Sequence, residues 1–189
     1  LQHSSLTYNY FSGHISIGRG NPYFFNMNEN LLINPNFPPA EYVWWQHENH
    51  WFQFDWGFMM LSSEGRLNRF INFHRYGLNM QNYRIGFTEA VKGTYENWGV
   101  DETGYVMPAS VHFETEENRG INANLMWLID GMLKWDKYTF YGEFLIDDFA
   151  IDKQSPPQLA TSIGLGIKLK KVLLNAEYTK INRWTGNYC

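Results

Sequence analysis

Apolar and polar residues alternate with a period of two over long stretches of this chain. In the clearest stretch, every second residue from Ile121 to Trp135 is apolar. The positions between them begin with Asn122 and Asn124 and include Asp130. Such alternation predicts a β-strand with one apolar face. The stretch is about fifteen residues long, against roughly five or six in soluble sheets, and this length fits a tilted strand that crosses a bilayer.

The same alternation predicts nine strands. They are expected at residues 5–17, 41–47, 50–60, 69–77, 82–92, 120–135, 138–148, 159–169 and 172–182. The connecting segments alternate between longer ones (18–40, 61–68, 93–119 and 149–158) and shorter ones (48–49, 78–81, 136–137 and 170–171). Bacterial barrels have this pattern, with short periplasmic turns and long external loops, whereas a soluble sandwich has no reason for it. We therefore predict an all-β fold, an antiparallel transmembrane β-barrel with about nine strands present as part of a larger barrel.

The domain organisation predicted from the sequence is a single outer-membrane β-barrel domain over residues 1–189. Single-chain bacterial barrels usually have an even number of strands, and nine is odd. Barrel chains also commonly finish on an aromatic residue, whereas this one ends at Cys189 just after a strand. We therefore expect a domain truncated at its C-terminal end. The first residue is Leu1 and not Met, which gives the same expectation for the N-terminal end.

Composition supports a wall with two unlike faces. Aromatic residues make up 18% of the chain, yet the mean hydropathy is only −0.43. This combination suits a barrel, in which one face meets lipid and the other meets water. No stretch of the sequence approaches the roughly 18 apolar residues of a transmembrane helix. The net charge is −4 with no basic patch, so no nucleic-acid partner is expected.

Four blocks of sequence follow one another in the order of a known barrel family. They are Gly18-Arg19-Gly20 with Phe25–Asn30, the hairpin Phe73–Val91, Asn124 and Asp130 with Tyr141–Phe149, and Leu174–Thr179. Together they resemble the Wzi family of capsule assembly proteins, and the strand ending in Ile146-Asp147-Asp148 is the most specific feature. The resemblance implies a large outer-membrane barrel that helps to attach or organise surface polysaccharide and behaves as a lectin.

The expected function is therefore interaction with surface polysaccharide at the bacterial outer membrane, helping capsule or exopolysaccharide assembly or attachment. The expected partners are outer-membrane lipid, surface polysaccharide and other envelope proteins. Two alternatives stay open, a porin-like solute channel and a structural subunit of a larger envelope assembly. The sequence contains neither a Gly-x-Ser-x-Gly nucleophile elbow nor a phosphate-cradling loop. We expect no enzymatic activity and no cofactor.

Charged residues of the predicted strands are candidates for a network inside the barrel. The candidates are His74, Arg75, Arg84, Glu89, Glu143, Asp147 and Asp148. Bracing of the wall is the favoured interpretation, because charges beside a low-dielectric wall need partners; a glycan or ion pathway is the alternative. The position of Glu89 is ambiguous. Alternation from Phe87 places Glu89 on the lipid face. The alternatives are a bulge near Thr88 that turns Glu89 inward and a position of Glu89 beyond the bilayer.

Metal binding is not expected from the acidic and histidine residues. Asp147 and Asp148 are adjacent, and adjacent strand residues point to opposite faces, so they cannot chelate jointly through a regular strand. A structural role for this pair is therefore favoured. His47 and His50 flank a predicted turn, but the further ligands that a zinc site requires are not visible.

Aromatic residues in the long segments are candidates for glycan contact, because sugars stack on aromatic rings. The candidates are Trp98, Tyr105, Tyr23 and Phe25. Burial in the packing of the segments themselves is the alternative. Tryptophans in the strands are predicted to form girdles at the membrane interfaces, where amphipathic rings settle at the level of the lipid headgroups.

Overall fold

The protein folds as one sheet of ten antiparallel strands. A computed structural model describes residues 4–20, 31–33, 38–64, 67–95, 108, 124–147, 158–170 and 172–182. The strands are β1 (Ser4–Tyr10), β2 (Gly13–Gly20), β3 (Ala40–Glu48), β4 (Phe52–Glu64), β5 (Leu67–Asn79), β6 (Tyr83–Tyr95), β7 (Asn124–Trp135), β8 (Tyr138–Asp147), β9 (Leu159–Leu169) and β10 (Val172–Ile181). In these ranges there is no helix, and so none that is long and apolar enough to cross a membrane.

The order of the strands in the sheet is the order of the strands in the chain. The predicted all-β, antiparallel fold is therefore confirmed. The sheet is not closed into a barrel, because β1 and β10 lie at its two ends and do not pair with each other. The connections from β1 to β2, from β3 to β4, from β5 to β6, from β7 to β8 and from β9 to β10 lie at one end of the strands, which we call the turn end. In the turn between β7 and β8, Asp136 has a φ of 54°, a left-handed conformation that Asp tolerates better than most residues.

The prediction of a single strand over residues 5–17 is wrong, because the chain reverses at Phe11 and Ser12 to form the β1–β2 hairpin. The sequence carries a signal for this turn. Apolar residues fall on even positions before it, at Leu6 and Tyr8, and on odd positions after it, at Ile15 and Ile17. A two-residue turn changes the phase of the alternation in this way, whereas a continuous strand keeps it. The sheet therefore has ten strands instead of the predicted nine.

The predicted loop at 61–68 is also wrong, since strand structure occupies most of it. β4 continues to Glu64 and β5 begins at Leu67. The residues Leu61 to Glu64 lack the apolar alternation that marks the rest of β4. Pairing with the neighbouring strand, and not the sequence pattern, extends β4 over this stretch.

Alternation gives the sheet two unlike faces. One face, which we call the apolar face, carries large hydrophobic side chains that are at least one-third exposed on nearly every strand. They include Leu6, Tyr8, Ile15, Ile17, Tyr76, Ile85, Phe87, Ile129, Phe144, Ile163 and Tyr178. The opposite face, which we call the ionic face, carries buried charged side chains. They include Asp55, Arg75, Arg84, Asp130, Glu143 and Asp147.

Each face also has a buried hydrophobic cluster. The cluster on the ionic face includes Met59, Ile71, Phe73, Ala90, Met126, Leu128 and Leu145, and the segment Leu31–Ile33 packs against it. The cluster on the apolar face consists of Trp56, Phe58, Phe70 and Val91. The charged residues of the ionic face therefore lie beside a packed core, which holds their strands in place.

The strand tryptophans do not share one face. Trp45, Trp56 and Trp127 occupy one cross-strand row on the apolar face. Trp44 lies on the ionic face, where its Nε1 donates a hydrogen bond to Asp55 Oδ1 at 3.3 Å. Trp44 therefore does not fit the predicted girdle, whereas the position of the other three is compatible with it.

Candidate functional site

The centre of the ionic face is a two-point ion pair between β5 and β7. Arg75 Nε donates to Asp130 Oδ2 at 3.0 Å, and Arg75 Nη2 donates to Asp130 Oδ1 at 2.8 Å. Both side chains are almost completely buried. Bidentate contacts of this kind are among the strongest hydrogen bonds in proteins, because both partners are charged and the geometry is fixed.

Two glycines make room for this ion pair. β6 lies between β5 and β7, and its Gly86 stands directly between Gly77 and Asp130 in the cross-strand register. A Cβ on Gly86 would collide with Asp130 Oδ2 and with Arg75 Nη2, and a Cβ on Gly77 would lie 2.7 Å from Arg75 Nη1. The guanidinium therefore crosses β6 only because these positions have no side chain.

Asp55 connects the ion pair to β3 and β4. Its Oδ2 lies 3.7 Å from Arg75 Nη1. It accepts hydrogen bonds from Gln53 Nε2 at 2.6 Å, from Gln46 Nε2 at 2.9 Å and from Trp44 Nε1 at 3.3 Å. These contacts surround a buried carboxylate with donors, which offsets the cost of removing its charge from water. Hydrogen bonds and ion pairs thus join four strands, β3, β4, β5 and β7.

Glu143 extends the ionic face to β8 and holds the segment before β3. It is the cross-strand neighbour of Asp130 and is only 4% exposed. Its Oε2 accepts a hydrogen bond from the backbone N–H of Leu31 at 2.7 Å. Leu31 precedes β3 in the chain, whereas Glu143 lies on β8, five strands further along the sheet. The segment Leu31–Ile33 therefore crosses the ionic face.

Asp147 ends β8 on the same face. It is fully buried, and its Oδ1 accepts a hydrogen bond from Asn124 Nδ2 at 2.5 Å. Its backbone N–H donates to the carbonyl oxygen of Gln158 at 2.8 Å. These contacts tie Asp147 to the first residue of β7 and to the residue before β9. Asp148 lies outside the described residues.

The predicted charge network is divided between the two faces. Arg75, Arg84, Glu143 and Asp147 share the ionic face. His74 and Glu89 face each other across β5 and β6 on the apolar face, because the register of these strands is continuous and no bulge occurs near Thr88. The seven residues therefore do not form a single network.

His74 and Glu89 lie in a row of aromatic residues. His74 is the cross-strand partner of Trp56, and Glu89 is the partner of Trp127. The His74 ring also stacks on Phe54, with ring centroids 6.4 Å apart. Both side chains are more than nine-tenths buried, and the pair lies beside the buried hydrophobic cluster of the apolar face.

Sequence reasoning missed the residues that complete the ion pair. Asp55 and Asp130 each lie on the polar side of an alternating strand, but alternation does not show that they meet Arg75 from either side. The glycines carry a signal for this contact. Gly77 and Gly86 have the same parity as Arg75 and Arg84 on their strands, and glycine inside a strand often marks a close approach.

The proposed glycan contacts Trp98, Tyr105, Tyr23 and Phe25 all lie outside the described residues. Within the described ranges, no three His, Cys, Asp or Glu side chains are grouped as metal ligands. Comparisons of the chain with protein-family models, with curated proteins and with solved structures find no match.

Proposed function

We propose that this chain is part of the wall of a bacterial outer-membrane β-barrel that interacts with surface polysaccharide and helps its assembly or attachment. The observation that carries the membrane part is the apolar face, which exposes large hydrophobic side chains on nearly every strand. Exposed apolar patches larger than a few hundred Å² are rare on soluble monomers. Contact with lipid removes this surface from water, at a gain of about 25 cal/mol per Å².

The ionic face supports the same proposal from the other side. Its charged residues are paired with each other and with amides, as the Arg75–Asp130 contact shows. Charges that face the interior of a barrel avoid lipid and still require partners beside a low-dielectric wall. Antiparallel strands that pair in chain order, with short turns at one end, are the arrangement found in bacterial barrels.

The polysaccharide part of the proposal rests on the four sequence blocks that resemble the capsule assembly family. Two of these blocks contain buried charged residues of the ionic face. The hairpin Phe73–Val91 contains Arg75 and the glycine pair, and the block Tyr141–Phe149 contains Glu143 and Asp147. The glycan candidates lie, in the sequence, between β2 and β3 and between β6 and β7, outside the described residues.

The test is the partition of polysaccharide between cells and medium in a strain that lacks the full-length protein. The proposal expects polysaccharide to be made in normal amount but shed into the medium. Re-expression of the protein restores retention, whereas re-expression of a Trp98→Ala, Tyr105→Ala variant restores it only partly. Trp135→Ala, at the turn end of β7, is the matched control. An unchanged partition in the deletion strain contradicts the polysaccharide role.

A structural subunit of a larger envelope assembly is the second candidate. β10 favours this candidate, because all of its residues are exposed. Among the described residues, β9 is the only strand that pairs with β10. Unpaired edges invite further strands. Co-purification with other envelope proteins at fixed stoichiometry supports this candidate. A porin-like channel has less support, because the ion pairs and the segment Leu31–Ile33 occupy the ionic face; conductance in planar bilayers tests it.

A further inference from the structure

Five consecutive strands each place one polar side chain at the turn end of the ionic face. These side chains, from β3 to β7, are Glu48, Gln53, Asn79, Arg84 and Lys134. They line a cavity of about 210 Å³. The register brings them together, because Glu48 pairs with Gln53 and Asn79 pairs with Arg84 across neighbouring strands.

Hydrogen bonds join three of the polar side chains of this cavity. Asn79 Nδ2 donates to Glu48 Oε1 and to Gln53 Oε1, in both cases at 3.2 Å. Gln53 and Arg84 are buried and form the inner wall, with exposed fractions of 2% and 8%. Glu48 and Lys134 are exposed at the rim. The cavity thus offers a preformed set of hydrogen-bond donors and acceptors on planar groups.

The balance of charge decides which ligand fits. The cavity itself carries one carboxylate and two cations, and the ion pairs beneath it add two carboxylates and one cation, so the region as a whole has no net charge to hold a free ion. The carboxylates are Glu48 in the cavity and Asp55 and Asp130 beneath it, and the cations are Arg84 and Lys134 in the cavity and Arg75 beneath it. A cationic ligand is disfavoured as well, because Arg84 and Lys134 both line the cavity itself. Neither charge argument applies to an uncharged ligand with many hydroxyl groups.

We infer that this cavity binds one uncharged hexose unit of a glycan. Vicinal hydroxyls donate to the Glu48 carboxylate and accept from the Arg84 guanidinium and the Lys134 ammonium group. The side chains of Met80 and Met132 also line the cavity and supply apolar contact for the C–H face of the ring. The volume is below the roughly 300–1,000 Å³ of pockets for larger ligands, which limits occupancy to a single sugar unit. The inference rests on the proposed function for its ligand class and adds a contact at the turn end of the sheet.

The test is saturation-transfer NMR and titration calorimetry on the full-length protein in lauryldimethylamine oxide micelles, a detergent without a sugar headgroup. The probes are D-glucose, D-galactose, D-mannose, D-glucuronate and inorganic phosphate. We expect at least one neutral hexose to bind, and Glu48→Leu and Lys134→Met each to weaken its binding at least tenfold. Lys137→Met, the same exchange in the neighbouring turn and outside the cavity, leaves binding unchanged. Circular dichroism confirms that each variant keeps its β-sheet.

Binding of glucuronate or phosphate without any neutral hexose overturns the inference, and so does the absence of binding by every probe. Equal weakening by Lys137→Met and Lys134→Met overturns it as well. The cellular assay separates this inference from the proposed function. If the deletion strain sheds polysaccharide but hexoses do not bind, the inferred hexose site is wrong and the proposed polysaccharide role stands. If hexoses bind but the deletion strain keeps its polysaccharide, the polysaccharide role is wrong and the hexose site stands.

Discussion

The Arg75 guanidinium holds both carboxylate oxygens of Asp130 across an intervening strand. The two hydrogen bonds measure 3.0 Å and 2.8 Å, and the strand between the partners contributes Gly86 directly beneath them. Both charged groups are buried away from water, so each is stabilised by its partner instead of by hydration. The stability of the ionic face therefore depends on the Arg75–Asp130 ion pair and on the absence of a side chain at Gly86.

The stability losses from removing the two partners of this pair are expected not to add. Asp130→Leu leaves the buried Arg75 charge with only Asp55 nearby, at 3.7 Å, and is expected to lower the free energy of unfolding by about 3–5 kcal/mol. The double variant Arg75→Met, Asp130→Leu leaves the Asp55 carboxylate with neutral hydrogen-bond donors and no cation. It is expected to lose less than the sum of the two single losses, because either single substitution already breaks the pair. Urea unfolding in lipid vesicles measures the Asp130→Leu, Arg75→Met and double variants. A double variant that loses the sum of the two single losses contradicts the pairing.

The glycine beneath the ion pair is expected to tolerate no side chain. Gly86→Ala forces Arg75 or Asp130 out of place and is expected to cost about 1–3 kcal/mol, as overpacking of a core does. Gly131→Ala is the control on the next strand, because its Cβ would meet nothing closer than the Arg84 carbonyl oxygen at 3.8 Å. That substitution is expected to be neutral or slightly stabilising, since it restricts the unfolded chain. Equal effects of the two variants in the same unfolding measurement contradict the role assigned to Gly86.

The environment of the apolar face is expected to show in a single charge substitution. Ile129 is 45% exposed in the isolated sheet. If it faces lipid, Ile129→Lys lowers stability in vesicles by about 2–4 kcal/mol, whereas in water a surface change of this kind stays within about 0.5 kcal/mol. Phe11→Lys, in the fully exposed β1–β2 turn, is the control and is expected to have little effect. A loss below about 0.5 kcal/mol for Ile129→Lys rules out lipid at this position.

The contact between Glu143 and Leu31 is expected to protect one backbone amide. Glu143→Leu removes the acceptor, and a hydrogen bond to a charged group is worth about 1.5–3 kcal/mol, so exchange of the Leu31 amide proton is expected to accelerate roughly ten- to hundredfold. Glu177→Leu is the control, because that carboxylate accepts from Tyr141 and Ser162 and not from Leu31. Hydrogen–deuterium exchange followed by NMR or mass spectrometry reports the change. An unaltered Leu31 rate in Glu143→Leu shows that another group protects this amide.

Alternation and tight turns made much of the sheet predictable. The stretch 159–169 matches β9 at both ends, and 138–148 and 172–182 exceed β8 and β10 by one residue each. Two-residue turns fix the ends of these strands, and uninterrupted alternation fixes their faces. The same rule is sufficient for Glu89, which lies on the face of Phe87, as simple alternation requires.

The contacts of the candidate site could not be read from the same pattern. Alternation assigns Arg75 and Asp130 to one face, but their strands are not adjacent, and the reach of a long side chain over a glycine is a property of the folded sheet. The path of Leu31 to β8 was unpredictable for a similar reason. No local pattern records a hydrogen bond between residues 112 positions apart.

The order of the sheet has a consequence for how the protein assembles. Because every strand pairs with its neighbour in the chain, the sheet can grow one strand at a time, and the longest connection that must close is the one between Tyr95 of β6 and Asn124 of β7. The bond from Leu31 to Glu143 is different, since it requires β8 to be in place. It therefore forms only after most of the sheet exists. During refolding, protection of the Leu31 amide from hydrogen exchange therefore distinguishes molecules in which β8 has already paired from molecules in which it has not.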